Sequence, residues 1–60
     1  MMADLPKDPV MLLSTVNMKL RDFYPTLDAL CEDLGIGKEM LCRKLAGIDY
    51  EYDAGRNQFV

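Results

Sequence analysis

The residues of this chain that could carry out chemistry are few, and they form neither a catalytic nor a metal-binding motif. Histidine does not occur among the 60 residues, and ten residues separate the two cysteines, Cys31 and Cys42. Zinc and redox motifs need closer spacing, so both cysteines are predicted to be reduced thiols. Ser14 and Thr15 stand in mid-helix without a base, and no glycine-rich phosphate loop occurs. We therefore predict no enzyme activity, no cofactor and no metal site.

Residues 27–45, LDALCEDLGIGKEMLCRKL, have the spacing of a helix-turn-helix, a motif that can read DNA. The candidate phosphate contacts are the basic side chains in and after this segment: Lys38, Arg43, Lys44 and Arg56. A good DNA binder commonly makes ~6–10 cationic contacts with phosphate. This chain has seven basic against ten acidic residues and a net charge of −3. Weak or accessory nucleic-acid binding of the winged-helix type is therefore kept as the alternative function, and a different function is favoured below.

Asn17 and Arg21 are one helical turn apart, beside the apolar stripe of the first predicted helix. A half-buried asparagine must find hydrogen-bond partners. In the favoured interpretation, Asn17 bonds to backbone near a helix end or the hairpin, and Arg21 pairs with a nearby carboxylate. In the other, the two side chains form a polar recognition spot.

Met11, Thr15 and Met18 lie on a second face of the same helix, roughly opposite its apolar stripe. A helix that is apolar on two sides usually packs on two sides, and methionine is common on adaptable binding surfaces. The alternative interpretation is that the two methionines are exposed without forming a binding surface, which is also common. If the face is used, packing on its twofold mate would form a homodimer. We expect a non-catalytic interaction or adaptor module whose partner is a protein, either a second copy or another chain.

Three helices and a hairpin must position these residues. Apolar periodicity and capping signals place the elements at about 9–23, 27–34 and 38–46, with the hairpin at about 49–59. Residues 1–8 are predicted to be a loose lead-in, and 9–60 a single small domain. The side chains expected to face the core are Leu12, Leu13, Val16, Leu20, Phe23, Tyr24, Leu27, Leu30, Cys31, Leu34, Ile36, Leu41, Leu45 and Ile48.

The C-terminal segment changes to a two-residue period, which predicts a β-hairpin. A four-residue loop at 53–56 would place Tyr52 opposite Asn57 and Tyr50 opposite Phe59, with the three rings on one face. A lone hairpin is marginally stable, so this aromatic face is expected to pack on the helices. A platform for stacking bases is the other possible role of the rings. The predicted fold is mainly α, a small α+β domain with three helices in a helix-turn-helix-like arrangement followed by the hairpin.

Short motifs spread along the chain carry a family resemblance: Val16-Asn17, Leu20-Arg21-Asp22, Leu30-Cys31, Tyr50-x-Tyr52 and Asn57-x-Phe59. They resemble a family of small bacterial proteins known only as domain of unknown function 4250, over nearly the whole chain from Pro9 to Phe59. The resemblance implies a stand-alone small domain with no assigned activity, and it transfers no catalytic or binding residue. Glycine usually stands in that family where this chain has Asp49. Because aspartate also tolerates a left-handed backbone, the turn is expected to persist.

The size of the chain bears on its stability, and its hydropathy bears on its location. A chain of 60 residues buries only about 60% of the surface it exposes when unfolded, so self-association would add useful stability. No apolar run is long enough for a signal peptide or a membrane span. We expect a cytoplasmic protein that does not enter membranes.

Overall fold

The computed structural model describes residues 5–60, which form three helices and a two-stranded antiparallel hairpin. The elements in chain order are α1 (Pro9–Asp22), α2 (Leu27–Leu34), α3 (Lys38–Ala46), β1 (Tyr52–Asp53) and β2 (Gln58–Phe59). The predicted fold class, a mainly helical small α+β domain, is confirmed. The first helix ends one residue before the expected boundary.

Local capping explains where the first two helices begin and end. The Asp8 side chain accepts a hydrogen bond from the Met11 N–H at 3.1 Å, and Pro9 occupies the first helical position. Thr26 caps α2 in the same way, through the Ala29 N–H at 3.1 Å. Gly35 ends α2 with a left-handed backbone, φ 68°.

The predicted lead-in at residues 1–8 falls partly outside the described residues, which begin at Leu5. Residues 5–8 contain no helix or strand. Leu5 nevertheless packs against the hydrophobic core, and Asp8 is the N-cap of α1. The described part of this segment therefore contacts the domain.

The end of α3 uses an aspartate where glycine would be expected. Gly47 keeps a right-handed backbone at φ −62°, and Asp49 takes the left-handed one at φ 66°. The Asp49 N–H donates to the Ala46 carbonyl and the Tyr50 N–H donates to the Leu45 carbonyl, both at 3.0 Å. This pair of bonds is a common helix terminator. The turn expected at Asp49 is confirmed.

Replacing Asp49 with glycine is expected to raise the free energy of unfolding by about 0.5 kcal/mol, because glycine adopts positive φ without a Cβ penalty. Asp49 is exposed, so little packing is lost. Urea denaturation followed by circular dichroism measures the change. Asp49→Ala is the matched control and should lower the stability. A glycine variant less stable than the wild type would contradict the assignment.

The core lies where one face of each helix meets the hairpin. Its buried members are Leu12, Val16, Leu20, Leu27, Leu30, Cys31, Leu34, Leu41, Leu45 and Phe59. Partly buried Leu13, Tyr24, Ile36, Ile48 and Tyr52 pack around them. The core therefore joins α1, α2 and α3 to the last strand.

Two aromatic side chains expected in the core lie at the surface instead. Phe23 is 68% exposed, because α1 stops at Asp22 and the backbone of Phe23 leaves the helical region at φ −125°. The Lys19 Nζ lies over its ring, 6.0 Å from the centroid. Tyr50 is also exposed, since it follows the α3 terminator and precedes the strand pair. Helical and strand periodicity no longer apply at either position.

The predicted hairpin register is wrong by two residues. Tyr52 pairs with Phe59 and Asp53 with Gln58, so the four loop residues are 54–57. The cause is Asn57, which takes a left-handed backbone at φ 53° and closes the loop one residue later than expected. An even shift keeps each side chain on its face. Tyr52 and Phe59 therefore still lie together, with ring centroids 5.5 Å apart.

Candidate functional site

Asn17 joins α1 to the outer edge of β2. Glu51 and Val60 exchange backbone hydrogen bonds of 3.0 and 2.8 Å, so the neighbouring Phe59 turns its own N–H and C=O away from β1. The Asn17 Nδ2 donates to the Phe59 carbonyl at 3.1 Å, and the Phe59 N–H donates to the Asn17 Oδ1 at 2.8 Å. One side-chain amide thus offers β2 the donor and acceptor that another strand would offer.

Asn57 connects the hairpin loop to the corner between α1 and α2. Its Nδ2 donates to the carbonyls of Leu20 and Tyr24, both at 2.9 Å. Its Oδ1 accepts from the Tyr52 hydroxyl at 2.6 Å, and that hydroxyl accepts from the Leu27 N–H at 3.2 Å. The network provides partners for the Leu20 carbonyl in the last turn of α1 and the Leu27 N–H at the start of α2, which helix geometry leaves unpaired, and for the Tyr24 carbonyl just beyond α1.

Sequence reasoning did not single out the Asn57–Tyr52 network. The available signal was an asparagine at the end of a predicted hairpin loop, a position that often takes a left-handed backbone. The identity of its partners depends on how the loop packs against α1, which local sequence does not specify.

Arg21 pairs with its neighbour Asp22, through Nε–Oδ1 at 3.0 Å and Nη2–Oδ2 at 3.1 Å. The hydrogen bond raises the pKa of the Arg21 guanidinium and lowers the pKa of the Asp22 carboxyl. Both side chains are largely exposed. Asn17 therefore bonds to the backbone of the hairpin and Arg21 to a carboxylate, as in the favoured interpretation of this pair.

The methionine face, composed of Met11, Thr15 and Met18, lies on the side of α1 away from the core. Met11 is 60% and Met18 37% exposed, whereas Leu12, Val16 and Leu20 of the same helix are buried. Thr15 is partly buried between them. The three residues are brought together at the surface.

A groove runs beside this face, between α1 and the hairpin. Its walls include Leu13, Ser14 and Met18 of α1 and Tyr50 and Val60 beside the strands. Asn17 and Phe59 lie across it, and Arg21 and Arg56 also line it. No described residue of the lining carries a carboxylate side chain. We refer to this feature as the α1–hairpin groove. Met18 belongs to both surfaces.

Three of the four nucleic-acid candidates lie on α3, and the fourth lies in the hairpin loop. Lys38 pairs with Asp28 at 2.9 Å, a contact that raises the pKa of Lys38. Arg56 lies in the α1–hairpin groove with Arg21, and its Nε is 3.8 Å from Asp53. Arg43 and Lys44 are exposed in the last turn of α3. The carboxylates beside Lys38 and Arg56 weaken their attraction for phosphate.

The aromatic rings of the hairpin are not placed for stacking on bases. Phe59 is buried in the core, and the Tyr52 hydroxyl is engaged with Asn57 and Leu27. Tyr50 alone of the three is exposed. Tyr52 and Phe59 thus pack the hairpin on the helices.

The remaining reactive groups lie in ordinary structural settings. Cys31 is buried, which raises the pKa of its thiol, and Cys42 is partly buried; both are free. The Tyr24 hydroxyl donates to the Asp33 carboxylate, and this bond raises the pKa of Tyr24. Within residues 5–60, no cluster of three or more cysteine or carboxylate ligands suits a metal ion. In the same range, no helix is long and apolar enough to cross a membrane.

Comparison with known families gave one finding that covers the whole fold. A family model described as a domain of unknown function, DUF4250, matches residues 6–59, which include every helix and strand given above. Comparison with curated proteins and with solved structures gave no match. The resemblance inferred from the short motifs is confirmed.

Proposed function

The chain belongs to the family described as domain of unknown function 4250, and from its surface we propose a non-catalytic protein-interaction module that associates with a second copy of itself. The observation that carries the proposal is the exposure of Met11 and Met18 on the outer face of α1. Flexible thioether side chains adapt readily to a partner surface. Burying them in a second copy would remove apolar area from water without altering the core.

A small domain gains from such an assembly. A single core of this size supplies roughly 3–5 kcal/mol, so the burial of apolar surface between copies adds a large fraction of the total. A twofold arrangement uses the same face on both copies, so each copy needs only one kind of contact surface. The free thiols of Cys31 and Cys42 support a reducing compartment, and we propose that the domain acts in the cytoplasm.

Nucleic-acid binding of the winged-helix type is the less supported function. The helix-turn-helix spacing of α2 and α3 favours it, and Arg43 and Lys44 are exposed on α3. Against it, Arg56 lies beside α1, and Lys38 is paired with Asp28. Two exposed cations on α3 provide few of the phosphate contacts that binding needs.

The double substitution Met11→Glu with Met18→Glu is expected to convert a dimer into a monomer, because it places four carboxylates in one twofold contact. Sedimentation equilibrium from low to high micromolar protein measures the mass, and far-UV circular dichroism checks the fold. Met40→Glu is the matched control, since Met40 is similarly exposed but lies on α3. Wild-type protein that remains monomeric over this range would refute the proposal, as would a double variant with the mass of the dimer.

A further inference from the structure

We propose that the second copy seats its α1 in the α1–hairpin groove, so that Val10, Tyr50 and Val60 belong to the dimer interface together with Met18. The inference rests on the proposed self-association and specifies its geometry. By twofold symmetry, each copy both offers its groove and inserts its helix. The contact is therefore centred between α1 and the hairpin, not on the outer face of α1 alone.

The distribution of exposed apolar side chains is the first support. The large ones within the described residues are Val10, Met11, Met18, Phe23, Met40, Tyr50 and Val60. Met18, Tyr50 and Val60 line the groove directly. Val10 lies one helical turn before Leu13 and Ser14, which also line it. Together with Met11 on the adjacent methionine face, most of the exposed apolar surface adjoins this groove.

The area that a dimer must bury is the second support. A standard interface takes about 800 Å² from each partner, which is about one fifth of the 4222 Å² surface of this domain. The 14 residues of α1 span about 21 Å, and one stripe of such a helix is about 10 Å wide. That stripe offers much less than the required area. A partner helix held in the groove contacts α1 and the hairpin at once, so it buries more.

The charges beside the groove favour antiparallel helices. Arg21 and Arg56 line the groove, and their carboxylate partners Asp22 and Asp53 lie outside the lining. In an antiparallel pair, the exposed Asp8 at the start of one α1 lies near the Arg21 end of the other groove. A parallel pair would instead place the two Arg21 side chains side by side. Opposite charges at a contact fix its orientation more than its strength.

Single substitutions at two residues of the groove wall and at Val10, one helical turn before it, test where the partner helix binds. Val10→Glu, Tyr50→Glu and Val60→Glu are each expected to weaken the dimer at least tenfold, as measured by sedimentation equilibrium on the full chain. Met40→Glu and Phe23→Glu are matched controls, because both side chains are well exposed and lie outside the groove. The controls should change the dissociation constant less than threefold. Circular dichroism shows whether each variant keeps its fold.

The outcomes separate this inference from the proposed function. One outcome is that Met11→Glu with Met18→Glu abolishes the dimer while Val10→Glu, Tyr50→Glu and Val60→Glu leave it intact. That result would refute binding of the partner helix in the groove, but it would support self-association. If the wild type is monomeric throughout, self-association fails and the inference fails with it. Arg21→Gln tests the orientation. A dissociation constant that rises a few-fold supports the antiparallel pair, and one that falls overturns it.

Discussion

Replacing Asn57 with alanine is expected to lower the free energy of unfolding by about 4 kcal/mol, which is comparable to the whole stability of a domain this small. The left-handed backbone of residue 57 costs alanine about 1 kcal/mol more than asparagine. The carbonyls of Leu20 and Tyr24 lose their shared donor, and the Tyr52 hydroxyl loses its acceptor. Each part-buried group left without a partner adds about 1 kcal/mol. Urea denaturation and thermal melting followed by circular dichroism measure the loss.

Two further variants separate the backbone from the side chain. Asn57→Gly removes the same hydrogen bonds but adopts the left-handed backbone freely, so it should be about 1 kcal/mol more stable than Asn57→Ala. Asn57→Asp tolerates the backbone and can still accept from Tyr52, yet its carboxylate faces two carbonyls and cannot donate to them. It should be clearly less stable than the wild type at neutral pH. An alanine variant with wild-type stability would show that the network does not stabilise the fold.

Replacing Asn17 with leucine is expected to lower the free energy of unfolding by about 2–3 kcal/mol. Leucine has a similar size, so the loss reports the two hydrogen bonds rather than a cavity. The N–H and C=O of Phe59 are part-buried and would both lose their partner. A buried group left unsatisfied typically costs about 1–3 kcal/mol. The measurement is again urea denaturation.

A carboxyl group at position 17 adds a pH-dependent control. In Asn17→Asp, the ionised side chain can accept from the Phe59 N–H but repels the Phe59 carbonyl, so folding raises the pKa of the new carboxyl. A group whose pKa is raised on folding adds stability as the pH falls through its folded pKa, because the protonated form can donate as the amide does. The difference from wild type should therefore shrink on acidification. A difference that is independent of pH would mean that Asn17 does not bond Phe59 in this way.

The helices could be predicted because their signals are local. Asp8-Pro9 and Thr26 cap helix starts, and Gly35 permits the turn that follows α2. The register of the hairpin could not, because it depends on the left-handed backbone of Asn57, for which the sequence offers only a weak preference. Phe23 was misplaced because the apolar stripe continues one residue beyond the end of the helix that it describes.

The candidate surface was predictable in part. The spacing of Met11 and Met18 identifies an outer helix face, since seven residues are nearly two turns. The groove beside it joins α1 to Tyr50 and Val60, which are distant in sequence and have no common pattern. Similarly, a half-buried Asn17 implies a backbone partner, but only the packing of the hairpin shows that the partner is Phe59.

The bond between Asn17 and Phe59 also constrains how the chain folds during its synthesis. The two residues are 42 positions apart, and Phe59 is fully buried in the core. All three helices are translated by residue 46, but at that point α1 has no partner for Asn17 and the core lacks its aromatic centre. The core is therefore incomplete until the hairpin can pack against α1. Contacts this distant in sequence form only with a large loss of chain entropy, so we expect the closure of α1 on β2 to limit the rate of folding.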